Sequence, residues 1–235
     1  MRAEAAVAAA GAGALAAWCA PAAAPVVPAL ATLFRIPLRL SGGRGVAVTF
    51  DDGPHREGTP AVLAELDRAG VRATFYLVGE QVRERPALAA EIAAAGHEIG
   101  IHGYRHTLLL RRTPAGLRAD LEHAAVVLGE APGRASRSYR PPYGVFSLAA
   151  LALARERWAP LLWSHWGRDW TARATPASIA ALATRRLGPG AVILLHDSDA
   201  YSAAGSWRQT AAALPAVLEA AAATGEPFVT ASHST

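Results

Sequence analysis

The chain has 235 residues, 52% of them hydrophobic, enough for a substantial core in one large domain or two small ones. Its formal charge of +4 comes from scattered arginines, with no lysine and no basic run, which argues against a nucleic-acid partner. The single cysteine, Cys19, excludes an intrachain disulfide and a cysteine-built zinc site, so any metal must be held by histidine and carboxylate.

The first feature in chain order is an apolar leader. No charged residue occurs from Ala5 to Phe34, a length that can cross a hydrocarbon core. Pro21, Pro25 and Pro28 break it as a helix. Three readings stay open: a membrane anchor or bent hairpin, a cleaved signal peptide with small residues around Ala22–Ala24, or a low-complexity leader. Bulky Trp18 before Cys19 argues against a lipoprotein signal. Arg35, Arg39 and Arg44 follow the segment, against Arg2 and Glu4 before it, so a single crossing would leave the domain in the cytoplasm. The expected division is a leader over 1–40 and a folded domain over 41–235. The expected location is membrane-associated or secreted to the cell envelope, with the side of the membrane open.

From Gly43 onward short apolar runs alternate with longer amphipathic ones. Strands are expected at 46–50 (VAVTF), 73–78, 98–102, 137–140, 160–164, 191–196 (AVILLH) and 227–231. Helices are expected near 82–95, 114–129, 147–157, 176–187 and 208–223, with another running from Thr59 as N-cap and Pro60 as N1 to Gly70. Thr113-Pro114 and Thr175-Pro176 repeat that start signal. The alternation predicts an α/β fold of about seven parallel strands, closed like a barrel, with an open doubly wound sheet as the competitor. Either architecture puts function at the C-terminal ends of the strands.

Polar residues collect at those ends. Asp51 and Asp52 follow the first strand, in VTFDDGP, where adjacent like charges need a positive partner. His102 and His106 lie in HGYRH; if that segment is helical, its spacing puts both rings on one helix face. Two histidines and one carboxylate leave open positions on a cation, the usual catalytic zinc arrangement. One aspartate of the pair would bind the cation, and the other would stay free beside it as a base toward an activated water. Successive side chains of a regular strand point to opposite faces, so the chain has to bend here, and Gly53-Pro54 makes that feasible. Arg140, Asp169, Trp170, His196 and Asp197 sit at later strand ends. Trp163 and Trp166 are read as core on one side and cleft lining on the other. His97 reads as structural, and His55 as a solvated loop residue.

TFDDGP, HGYRH, RPPYG, WGRDW and LLHD, in this order, resemble the polysaccharide deacetylases with the NodB homology domain, carbohydrate esterase family 4, over roughly residues 44–231. The resemblance implies a distorted (β/α) barrel. It implies that Asp52, His102 and His106 bind a divalent metal, most readily Zn²⁺, with Co²⁺, Ni²⁺ or Mn²⁺ also suited. It implies Asp51 as catalytic base paired with Arg140, the Tyr143 backbone N–H as an oxyanion donor, and His196 as general acid tuned by Asp169. Trp170, Leu194 and Pro141 would bind the substrate. The activity implied is metal-dependent hydrolysis of N-acetyl groups on amino sugars in a glycan of cell-wall or chitooligosaccharide type. The alternatives are O-acetyl or formyl removal from a small or lipid-linked sugar, and a catalytically silent glycan-binding barrel. The chain departs from the family pattern at Ile101, Gly103 and Trp166, where Asn, a hydroxyl residue and Asp are usual.

Overall fold

A computed structural model describes residues 11–13, 15–130 and 137–232. Arg2 and Glu4, one side of the leader's charge comparison, lie outside them. The prolines of the leader do break it. A 3₁₀ turn, Ala20–Ala23, is followed by helix α1 (Pro28–Leu33), with Pro21 and Pro28 in first helical turns, where the missing N–H is not needed. Among the described residues no helix is long and apolar enough to cross a membrane.

The strand–helix alternation then begins with β1 (Val46–Asp51), α2 (Gly58–Ala69), β2 (Thr74–Leu77), α3 (Gly79–Glu84), α4 (Pro86–Ala94) and β3 (Glu98–Ile101). It continues through α5 (Pro114–Glu130), β4 (Ser138–Tyr139), α6 (Leu148–Arg157), β5 (Ala159–Pro160), β6 (His165–Trp166), α7 (Pro176–Ala183), β7 (Ala191–His196) and α8 (Ser206–Ala222). Seven strands form one sheet in the order β5-β4-β3-β2-β1-β7-β6, and every pairing is parallel. The expected α/β fold of seven parallel strands is therefore observed, as a curled half-barrel rather than a closed one. Edge strands β5 and β6 are not bonded to each other.

Four boundaries differ from expectation, each for a local reason. Helix α2 starts at Gly58 with Glu57 at its N-cap, not Thr59. The Thr59 hydroxyl is committed elsewhere: it accepts the His55 N–H at 2.7 Å and donates to Asp197. The helix start is capped instead by His55 Nδ1, which accepts from Gly58 N at 2.9 Å. The helix expected over 82–95 is two, because Pro86 has no N–H to donate and disfavours helical backbone at Arg85. The strand expected over 160–164 is replaced by β5 and β6 on either side. The Leu161 and Leu162 carbonyls accept from Arg140, and Leu162 N donates to Pro37, which takes these groups out of the ladder. The run at 227–231 forms only a bridge from Phe228 to Val46.

Strands β1 and β7 are buried along almost their whole length between the helices, as central parallel strands must be. Leader residues Ala24, Ala31, Ile36 and Leu40 belong to the same buried cluster as these strands. The segment also bonds across the open side of the sheet, with Leu162 N donating to Pro37 O at 3.0 Å and Leu40 N to Gly190 O at 2.9 Å.

Candidate active site

Asp51 ends β1 in register with His196, the last residue of β7. The next residue, Asp52, has φ of 79°, a left-handed conformation costing a non-glycine residue about 1–3 kcal/mol. That turn breaks the strand's alternation and lets both carboxylates face one cavity. Behind it, a Cβ at Gly53 would lie 2.5 Å from Asp197 Oδ2, so only glycine fits there. Asp197 is itself fully buried, and burial raises its carboxyl to about 7.

Three donors converge. Asp52 Oδ1 lies 3.1 Å from His106 Nε2 and 3.4 Å from His102 Nε2. His102 Nδ1 is 2.8 Å from the Arg140 carbonyl. A carbonyl can only accept, so Nδ1 carries the hydrogen and Nε2 keeps its lone pair for the cluster. Asp52 Oδ1 is buried with no hydrogen-bond donor among the described residues. An anionic, unpartnered oxygen beside two imidazole nitrogens fits a divalent cation, and this donor set leaves positions open for water.

The two histidines do not share a helix face, contrary to the helical reading of HGYRH. His102 to Thr107 form an irregular loop, turned at Gly103 with φ of 89°. That left-handed backbone accounts for glycine where the family pattern has a hydroxyl. The loop is braced instead by Asp120 of α5, which accepts the Tyr104 N–H at 2.9 Å. Ile101 is strand core, buried between Leu77 and Tyr139.

Asp51 is held from behind by Arg140, which is wholly buried and whose side chain makes four hydrogen bonds. Nη1 donates to Asp51 Oδ1 at 2.7 Å and to Thr49 Oγ1 at 2.8 Å, while Nε and Nη2 donate to the Leu161 and Leu162 carbonyls. The guanidinium also lies 4.1 Å over the Tyr76 ring. A buried cation so fully satisfied fixes one oxygen of Asp51, while the residue itself lines the cavity.

On the other side, Asp169 Oδ1 is 2.9 Å from His196 Nδ1. Its Oδ2 accepts the His196 backbone N–H and the Thr210 hydroxyl, each at 2.7 Å. Burial disfavours charge on His196, but Asp169 and the two cavity aspartates outweigh it and push the imidazole up to about 10. His196 Nε2 lies 4.0 Å from Asp52 Oδ2.

The cavity holds about 330 Å³. Trp170 and Leu194 line it as expected, joined by Trp163, Trp166 and Gly144. Trp163 is buried and Trp166 half-buried, as the mixed core-and-cleft reading requires. Tyr143 lies at its edge, in left-handed backbone with φ of 60°, its ring edge-on to His106. Pro141 is buried and is not among the lining residues. His97 is structural: Nδ1 accepts the Ala73 N–H at 3.1 Å. His55 caps α2 and pairs with Asp199 outside the cavity.

Tyr201 is a site residue that the motifs miss. Its ring stacks on His106 at 4.1 Å with 10° between planes, and its hydroxyl donates to Glu80 at 2.8 Å and accepts from Gln81. It follows the last strand by five residues, so the strand-end rule was the signal available for it.

An arginine-paired buried aspartate, a carboxylate-paired histidine and a three-residue Asp/His/His cluster surround one cavity at the strand ends of a half-barrel, an arrangement that fits a metal-dependent hydrolase. Residues 41–157 match the family model described as polysaccharide deacetylase. The chain is 38% identical over 160 residues to a chitooligosaccharide deacetylase from Bradyrhizobium sp. (strain ANU 289), covering 67% of this chain and 73% of that protein. Its fold is similar to the crystal structure of the Bc1960 peptidoglycan N-acetylglucosamine deacetylase, with a TM-score of 0.74 and 31% identity over 83% of this chain and 88% of that one. A CE4 family pseudoenzyme from Bacillus anthracis is also similar, with a TM-score of 0.71 and 25% identity over 80% of this chain and 63% of that one. The chain belongs to the polysaccharide deacetylase family and is a deacetylase.

Proposed function

We propose that the enzyme hydrolyses the N-acetyl group of an N-acetylated amino sugar in a glycan, such as peptidoglycan or a chitooligosaccharide, at the cell envelope. The observation that carries the reading is Asp51 clamped by Arg140 opposite His196 clamped by Asp169, a pair that a purely structural metal or a glycan-binding barrel does not require. Asp52, His102 and His106 would hold the cation, and the mixed nitrogen and oxygen donors suit Zn²⁺ best. Such a cation lowers the pKa of water and polarises the acyl oxygen.

The residues divide the remaining chemistry. Asp51 takes the proton from the attacking water as the new C–O bond forms. The Tyr143 N–H stabilises negative charge on the acyl oxygen, a contribution of about 2.7–4 kcal/mol per donor. As the C–N bond breaks, His196 delivers its proton to the leaving nitrogen, releasing acetate and a free amine. Asp169 holds the Nδ1–H and favours the charged imidazolium, which leaves the Nε2 proton on the cavity side for transfer. Leu194 and Trp170 give the acetyl methyl an apolar wall.

The test is acetate release by the full chain, loaded with zinc or cobalt, from N-acetylglucosamine oligomers and peptidoglycan fragments. Asp51→Asn should lower turnover about 100-fold or more while one metal per chain is retained. Unchanged turnover in that variant would remove Asp51 as the base. No release from any glycan by a metal-loaded wild type would favour the silent barrel.

A further inference from the structure

A second, larger groove lies beside the catalytic cavity. It holds about 830 Å³ and is bounded on one side by Pro25 to Arg39 and on the other by Trp163, Ser164 and Trp166. Trp163 and Trp166 also line the catalytic cavity, so the two spaces share these tryptophans as a wall. The groove's lining is mostly apolar, including Ala31, Ile36 and Leu38. Among the described residues its charged lining side chains are Arg35 and Arg39, with no carboxylate. Arg35 and Arg39 are both exposed, and Arg39 spends one donor on the Pro189 carbonyl. Val26 of the lining, and Val27 and Leu33, chain neighbours of lining residues, present apolar side chains to solvent, Leu33 at 69% exposure. A soluble, short sugar has no use for such a surface.

We infer that this groove receives the apolar chain and the anionic phosphate of a lipid carrier on which the amino sugar is presented. The sugar occupies the catalytic cavity, the phosphate faces Arg35 and Arg39, and the hydrocarbon lies along Ala31, Ile36 and Trp166. Three features converge on that occupant: a tryptophan wall shared with the catalytic cavity, two arginines with no carboxylate among the described lining residues, and an apolar lining with exposed apolar side chains. The inference rests on the deacetylase reading of the adjacent cavity, and it narrows the substrate from a glycan in general to an amino sugar on a lipid phosphate.

The test uses the metal-loaded full chain and decyl phosphate as a sugar-free probe of the groove. It adds the methyl and decyl phosphodiesters of N-acetylglucosamine, below micelle-forming concentrations, and a chitooligosaccharide as reference. Decyl phosphate should bind at a single site by calorimetry and compete with the decyl substrate. The decyl substrate should show a KM about tenfold or more below that of the methyl one. The double variant Arg35→Glu and Arg39→Glu should abolish decyl phosphate binding. Thr32→Asp and Val26→Asp, both at exposed positions, should each erase the decyl-over-methyl preference. All of these variants should keep wild-type turnover of the chitooligosaccharide. Equal KM for the two phosphodiesters, or decyl phosphate binding that survives the substitutions, would overturn the groove assignment. Decyl phosphate binding without turnover of any substrate would uphold the groove and overturn the deacetylase reading.

Discussion

Asp51 and Asp52 are neighbours with one cavity and two different surroundings. Asp51 has one oxygen committed to a buried arginine, whereas Asp52 has an oxygen without any donor, facing two imidazoles. The left-handed turn at Asp52 allows this division, and its conformational cost is tolerated because Gly53, Asp197 and Thr59 pack the turn from behind. Tyr201 acts on the same cluster from the other side. Its ring covers His106, whose Nδ1 has no hydrogen-bond partner among the described residues, so stacking takes the place of the hydrogen bond that fixes His102. Tyr201→Ala is expected to weaken divalent-metal binding about tenfold in a competition titration with a chelator. Tyr201→Phe, which keeps the ring and loses the Glu80 and Gln81 bonds, should fall between that variant and wild type. Equal affinity in all three proteins would mean that Tyr201 lines the cavity without positioning the ligand.

At the level of elements, the sheet brings distant residues together through register. Asp51 sits opposite His196 only because β1 and β7 pair from Val46 with Ala191 through six successive positions. His97 secures the far side of the sheet by accepting the Ala73 N–H where β2 and β3 begin. Burial, with Arg72 adding to it, pushes the His97 imidazole down to about 4 from its ordinary 6.5. A histidine depressed in the folded state binds protons more readily when unfolded. Its contribution is therefore complete above pH 6.5 and is lost as pH falls toward 4. His97→Asn keeps an acceptor for Ala73 and removes the titration, so urea midpoints should decline less steeply for the variant across that window. Parallel curves would assign the acid sensitivity to other groups. The parts of this architecture that were legible in the sequence are those that repeat: apolar runs of strand length, Thr-Pro starts, and motifs at strand ends. The missed parts depend on partners far along the chain. Thr59 does not cap its helix because Asp197 claims it, the strand stops after β5 because Arg140 and Pro37 claim the Leu161 carbonyl and both backbone groups of Leu162, and Tyr201, stacked on His106, is held by Glu80 and Gln81 of α3. No local pattern records those competitions.

For the molecule as a whole, the apolar leader joins the domain it precedes. Ala24, Ala31, Ile36 and Leu40 are buried with the strands, Pro37 accepts from Leu162, and Arg155 of α6 donates to the Phe34 and Arg35 carbonyls. Removing residues 1–40 would expose that apolar surface and leave the Leu162 N–H and the Arg155 guanidinium without these partners. A chain beginning at Ser41 is therefore expected to melt about 10 °C or more below the full chain, or to aggregate when produced. A chain beginning at Cys19 keeps all of these contacts and should melt with the full protein. The contrast also bears on the leader's fate. Cleavage near Ala22–Ala24 would leave Pro25 to Leu40, and with them the floor of the lipid groove, in the processed enzyme. Scanning calorimetry of the three chains decides the matter: equal melting temperatures for all of them would mean that residues 19–40 add nothing to the stability of the half-barrel.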